Sequence, residues 1–299
     1  MTTGGHPPPL SAEVNFVPSA ERHRHNKEIT MTKKFELVAE LTKEFFGKKL
    51  FRIRALVSFG DVDEGELGGW VEKEECLDQS GDAWVSGNAQ VSGDAQVSGN
   101  ARVYGDAWVS GNAQVSGNAR VYGDAWVSGN AQVYGDAWVS GNAQVSGDAR
   151  VYGDAWVSGN ARVYGDAQVS GDAQVYGDAQ VSGNAWVSGN ARVYGDAQVS
   201  GNARVYGDAQ VSGDAQVYGD AWVSGNAHWI TVGPIGSENG FLTAFRQKDN
   251  SIIVRRGCFS GAIDEFERAV TERHGDNDHG NIYLALIPVI KLRLAEVSE

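Results

Sequence analysis

Residues 81–98 read GDAWVS-GNAQVS-GDAQVS, and the same unit, G-[DN]-A-x-V-[SY], continues without an insertion to Ser224. That makes 24 consecutive hexads in which glycine, alanine and valine never vary. The second position holds Asp 14 times and Asn 10 times; x is only Trp, Gln or Arg, and the sixth residue only Ser or Tyr. Every Arg hexad ends in Tyr, every Trp hexad ends in Ser and every Tyr precedes Gly-Asp, a vocabulary small enough to reflect duplication of a gene segment. A helix of period 3.6 cannot hold Ala and Val on one face at a spacing of six. A short strand A-x-V-[SY] can, because alternation turns Ala and Val inward and x and Ser/Tyr outward. Gly-[DN] then forms the corner, since glycine has no Cβ to clash and Asp and Asn tolerate left-handed backbone. Three strands and three corners close a triangular coil of 18 residues, and each coil hydrogen-bonds to the next. The fold class is therefore an all-β solenoid, a parallel β-helix of about eight such coils stacked over about 40 Å, followed by a small α+β module.

Composition narrows the function classes. The 299 residues carry 25 Lys+Arg against 38 Asp+Glu, a net charge of -13. Such a surface repels phosphate backbones and anionic lipids, which argues against nucleic-acid and membrane-surface roles. No run of about 18 apolar residues is present, and the N-terminal stretch MTTGGHPPPLSAEVNF lacks the pattern of a secretory signal. Two cysteines, Cys76 and Cys258, make no disulfide framework and suit a reducing, cytoplasmic setting.

Outside the repeat the chain divides into three further parts. Residues 1–31 hold three consecutive prolines, scattered His and Arg and no periodicity, and read as a disordered extension; Met31-Thr-Lys-Lys-Phe has the form of an alternative start. Residues 32–80 form an N-terminal cap leading into the solenoid, residues 81–227 the solenoid, and residues 228–299 the C-terminal module. Caps are required because a solenoid exposes a strand edge at each end. In the module, residues 243–246 and 252–256 predict a hairpin through Lys248-Asp249-Asn250. Residues 262–274 predict an amphipathic helix with Ile263, Phe266 and Val270 on one face, residues 275–280 a turn, and residues 283–294 a second helical or mixed segment containing Pro288.

The unit V-[SY]-G-[DN]-A-x, an aliphatic residue followed four places later by a small one, resembles the hexapeptide repeat of left-handed parallel β-helices. The left hand is implied by that resemblance alone, since ordinary crossover rules favour the right-handed connection. The segments Leu50-Phe51-Arg52-Ile53-Arg54-Ala55-Leu56, Phe59-Gly60-Asp61-Val62 and Leu67-Gly68-Gly69-Trp70-Val71-Glu72 are similar to the start of YdcK-like proteins. Those are hexapeptide proteins of bacteria and prophages, usually labelled acyltransferases. The resemblance spans roughly residues 33–227; it is specific for fold and weakly specific for function.

An acyltransferase of that superfamily implies acetyl-coenzyme A and a histidine general base. All six histidines, at positions 6, 23, 25, 228, 274 and 279, lie outside the hexads. His228 is the one beside a coil and is only a weak catalytic candidate. No insertion supplies a loop to enclose coenzyme A, so no catalytic residue and no cofactor is expected; acetyl-coenzyme A enters only under the acyltransferase alternative. Cys258, His274, Asp276, Asp278 and His279 match no zinc spacing, so no metal site is expected.

The outward columns carry more information. Residues 18 apart lie on successive coils, so Trp108 sits beneath Trp126 and Trp138 beneath Trp156, with Tyr104/Tyr122, Tyr134/Tyr152 and Tyr176/Tyr194 arranged likewise. Arg204 falls between Trp186 and Trp222, the arrangement of a cation–π sandwich. Buried Val and Ala alone do not offset the cost of ordering the backbone, so these ladders help to hold the coils together. Trp108, Trp126, Trp138, Trp156, Trp186, Arg204 and Trp222 are also the candidate binding residues, a wall for a protein or glycan partner. The reading is a non-catalytic scaffold or binding solenoid of bacterial or prophage origin. An acyltransferase and a carbohydrate-binding solenoid are the alternatives, and homo-oligomerisation stays open.

Overall fold

Each hexad becomes one rung. In the computed structural model, which describes residues 33–295, strands β1 (Phe35–Phe45), β2 (Lys48–Ala55) and β3 (Leu67–Val71) precede the two-residue strands β4 (Trp84–Val85) to β27 (Trp222–Val223), one x-V pair per hexad. The extension read over residues 1–31 lies outside the described residues. Strands 18 residues apart pair in parallel and in register, as Trp108, Trp126 and Gln144 do. Three sheets result, one per side of the coil. Ala83 to Ala221 and Val85 to Val223 all point inward and are buried, nearly all of them completely, so this one column of small and branched side chains is the core.

The protein is a parallel β-solenoid of about nine turns. The extra turn comes from residues 67–80, within the stretch read as a cap: β3 pairs in parallel with residues 90 and 91, and Leu77 bridges Val97. The covering piece is the antiparallel hairpin β1–β2, which extends that sheet beyond β3.

The backbone of the stack is polar. In the hexads below the last turn the N–H groups of x and of the sixth residue donate to carbonyls one turn further on, and in most of them the Asp/Asn N–H does so too. Gln90 donates to Ala107 (2.9 Å), Ser92 to Val109 (3.0 Å) and Asp94 to Gly111 (2.7 Å). The first turn is therefore left with carbonyls to satisfy and the last with N–H groups. At the first turn the buried Lys34 Nζ donates to the carbonyls of Ser80, Gly81 and Ala83 at 3.3, 3.2 and 3.0 Å. At the last turn Asn226 Oδ1 accepts from the Gln210 N–H (2.8 Å) and Thr243 Oγ1 from the Gln216 N–H (3.2 Å). His228 Nδ1 accepts from the Ser224 N–H (3.2 Å).

Burial lowers the Lys34 ammonium to about 8, against smaller opposing contributions from Asp78 and Asp82. Below that pH the folded and unfolded chains both hold the proton, so the burial cost is present in full. Between about 8 and 10.5 the unfolded chain holds more proton than the folded one, and stability rises with pH. Urea unfolding across this window should show a gain on the order of 3 kcal/mol, absent from Lys34→Met. A wild-type profile parallel to that of the variant would refute the assignment.

The C-terminal module contains four antiparallel strands, β28 (Trp229–Ile235), β29 (Gly240–Arg246), β30 (Ile252–Arg256) and β31 (Phe259–Ala262), then helices α1 (Ile263–His274) and α2 (Asp278–Arg293). Strand β29 serves two cores by alternation. Phe245 and Thr243 face the solenoid, Phe245 packing edge-on against Tyr218 at 5.3 Å, while Leu242 and Ala244 join Val254, Phe266 and Ile290 beneath the helices. The turn expected over residues 275–280 ends early, because Asn277 Oδ1 accepts the Gly280 N–H at 2.9 Å and starts α2. Its Asn and Asp composition is helix-cap chemistry, not turn chemistry alone.

Both cysteines are free thiols. Cys76 is buried under the first turn, where desolvation raises its pKa, and Cys258 is exposed. A thiol reagent should label Cys258 in the native protein and reach Cys76 only on unfolding. Equal labelling rates would show that the N-terminal cap does not close over the stack.

Candidate functional site

The candidate residues fall on three different faces. Trp108 and Trp126 share the first sheet, Trp138 and Trp156 the second, and Trp186, Arg204 and Trp222 the third. They do not make one wall. On the first face Trp108 and Trp126 stack at 4.7 Å and 13°, and Phe46 from the β1–β2 turn adds a third ring at 5.2 Å and 4°. Such stacking turns ring faces toward each other and ring edges toward water. The pairs Tyr104/Tyr122, Tyr134/Tyr152 and Tyr176/Tyr194 stack the same way at 4.9–5.0 Å.

Trp138 and Trp156 depart from the expected stack and meet edge-on, at 5.5 Å and 72°. Arg120 lies over Trp138 at 4.9 Å and the Tyr122 ring meets its edge at 6.2 Å, so its surface is already engaged from the turn below. Trp84 is spelled like the other Trp hexads yet is buried, packed by Phe35 and Phe59 of the N-terminal segment. It anchors the cap; nothing in its own hexad distinguishes that role.

The corners carry a second ladder. Each of the ten hexad asparagines donates its side-chain amide to the Asn or Asp one turn on, from Asn88→Asp106 (3.1 Å) to Asn202→Asp220 (3.1 Å). An asparagine run thus always ends on an aspartate, an acceptor that needs no donor above it. Asp136, Asp154 and Asp172, and likewise Asp178, Asp196 and Asp214, stand in columns with no amide between them. Their repulsion is screened by salt, so the melting temperature should rise from low to moderate ionic strength. An unchanged melt would remove corner repulsion from the account.

On the third face Arg204 lies over Trp186 at 5.6 Å and over Trp222 at 5.4 Å, as expected. The β29–β30 turn adds Lys248, 5.2 Å above the Trp222 ring, which the hexad columns alone did not reveal. The column Trp186–Arg204–Trp222–Lys248 borders an open cleft of about 810 Å³, edged by Asn184, Asn202, Asp220 and Asp249. His228 lies at the end of the stack, with Nδ1 occupied by Ser224, whose N–H and Oγ lie 3.2 and 3.1 Å away. Among the described residues no three His, Cys, Asp or Glu side chains converge as a metal site. No helix there is long and apolar enough to cross a membrane.

A family model described as YdcK Beta solenoid repeat matches residues 95–111, 113–129, 131–145, 143–159, 155–171, 173–189 and 197–213. No curated protein matches the chain significantly. The matched segments coincide with paired rungs of the three sheets, so this stretch of the chain carries β-solenoid repeats of the YdcK type.

Proposed function

We propose that this chain is a non-catalytic solenoid, a rigid scaffold whose side faces bind a partner, protein or glycan, in a bacterial or prophage cytoplasm. The observation that carries the reading is the unbroken run of 24 hexads. Without an insertion there is no lid to position coenzyme A and exclude water. The histidine nearest the coils uses its Nδ1 to close the last turn. The hexad aspartates occupy corners at the surface, with no apolar pocket around them to form a general-base site. Two free thiols suit a reducing compartment.

Full-length protein incubated with acetyl-coenzyme A and a broad panel of amine and hydroxyl acceptors should show no turnover. Turnover abolished by His228→Ala, in a variant with an intact circular dichroism spectrum, would restore the acyltransferase reading.

A further inference from the structure

We infer that the cleft on the third face binds a short acidic saccharide, a chain of sugar rings bearing carboxylates. This rests on reading the solenoid as a binding surface and adds the ligand chemistry.

The cleft offers donors rather than acceptors. Its two acids are engaged internally: Asp220 Oδ1 accepts the Asn202 amide at 3.1 Å. Asp249 accepts the Ser251 N–H at 3.0 Å and the Ser251 hydroxyl at 2.6 Å, which holds its carboxyl below the usual range. The two cations are not engaged in this way. The Arg204 and Lys248 side chains are exposed, lie over tryptophan rings, and have no side-chain hydrogen bond or ion pair among the described residues. A guanidinium and an ammonium so placed are donors for carboxylates and hydroxyls, while the Asn184 and Asn202 amides beside them each spend one N–H on the corner ladder and keep a second.

Trp186 supplies the apolar contact. It is 37% exposed; Arg204 lies over it from the next turn, and no other aromatic ring packs on it, unlike Trp108 and Trp126. A sugar presents a C–H face that suits such a ring, with hydroxyls around its edge for the amides. A long polyanion is disfavoured, because the net charge is -13 and the corners on either side of this face carry Asp208 and Asp220.

The test is calorimetric titration of full-length protein with trimers of galacturonate, glucuronate and mannuronate, and with their methyl esters. At least one acidic trimer should bind, and its ester should not. Arg204→Gln and Lys248→Gln should each weaken binding by about tenfold, and Trp186→Ala should weaken it while the melting temperature stays near wild type. The assignment is overturned if no acidic trimer binds at millimolar concentration, if the ester binds as well as the acid, or if the two charge-removing variants keep wild-type affinity. It is also overturned if a glutamate-rich peptide binds as tightly with the same dependence on Arg204 and Lys248. Those outcomes leave the scaffold reading intact, which only acetyl-coenzyme A turnover removes.

Discussion

Val145→Asp should unfold the middle of the stack, while Gln144→Asp, one residue earlier, should be nearly silent. Val145 is completely buried and pairs in register between Val127 and Val163, inside a column of valines and alanines. A carboxylate there has no donor to meet and no water to reach, and removing the isopropyl group also leaves a gap. The expected loss exceeds about 4 kcal/mol. Gln144 points outward from the same strand, and the expected change there is within about 0.5 kcal/mol. Urea unfolding of the two variants gives the comparison. Similar midpoints would mean that the alternation of side chains is wrong at this rung.

Two glycine substitutions separate strain from crowding. Gly201 has φ +70° and a Cβ built on it would lie 2.8 Å from the Gly219 nitrogen one turn on; Gly213 has φ +61° and open space around it. Gly213→Ala meets only the left-handed backbone penalty, about 1–2 kcal/mol. Gly201→Ala meets that penalty and also pushes on backbone held at the rung spacing, so a loss of about 3–5 kcal/mol is expected. Equal losses would show that neighbouring turns part easily at their corners, contrary to the bonded ladder.

The rungs, their inward and outward faces and the 18-residue register were legible because one hexad specifies all three. The first turn was hidden by its spacing: Trp70-Val71 pairs with Gln90-Val91 and Leu77 with Val97, each 20 residues on rather than 18. Its spelling differs too, since Gly69 stands where a hexad has Ala, and a Cβ there would lie 2.6 Å from Val85 Cγ1. The Arg204 sandwich followed from column arithmetic, but Lys248 arrives from a hairpin 44 residues later in the chain. The burial of Trp84 was likewise invisible, because identical hexads meet different neighbours at the end and in the middle of the stack. The ring angle of Trp138 against Trp156 depends on the contents of the turn below, which pairwise reading does not weigh.

Because the N–H groups of x, of the sixth residue and of most Asp/Asn corners donate in one direction, the two ends of the stack are not interchangeable. Copies stripped of both caps would join in one sense only, the donor end of one under the acceptor end of the next, and each seam would match an interior turn boundary. Nothing in the hexads says when to stop. The chain is a counted object of about nine turns, rather than a fibre growing one way, because Lys34 terminates the carbonyls at one end while Asn226, His228 and Thr243 terminate N–H groups at the other. Length control in this protein belongs to a handful of terminal side chains, and the repeat itself carries none of it.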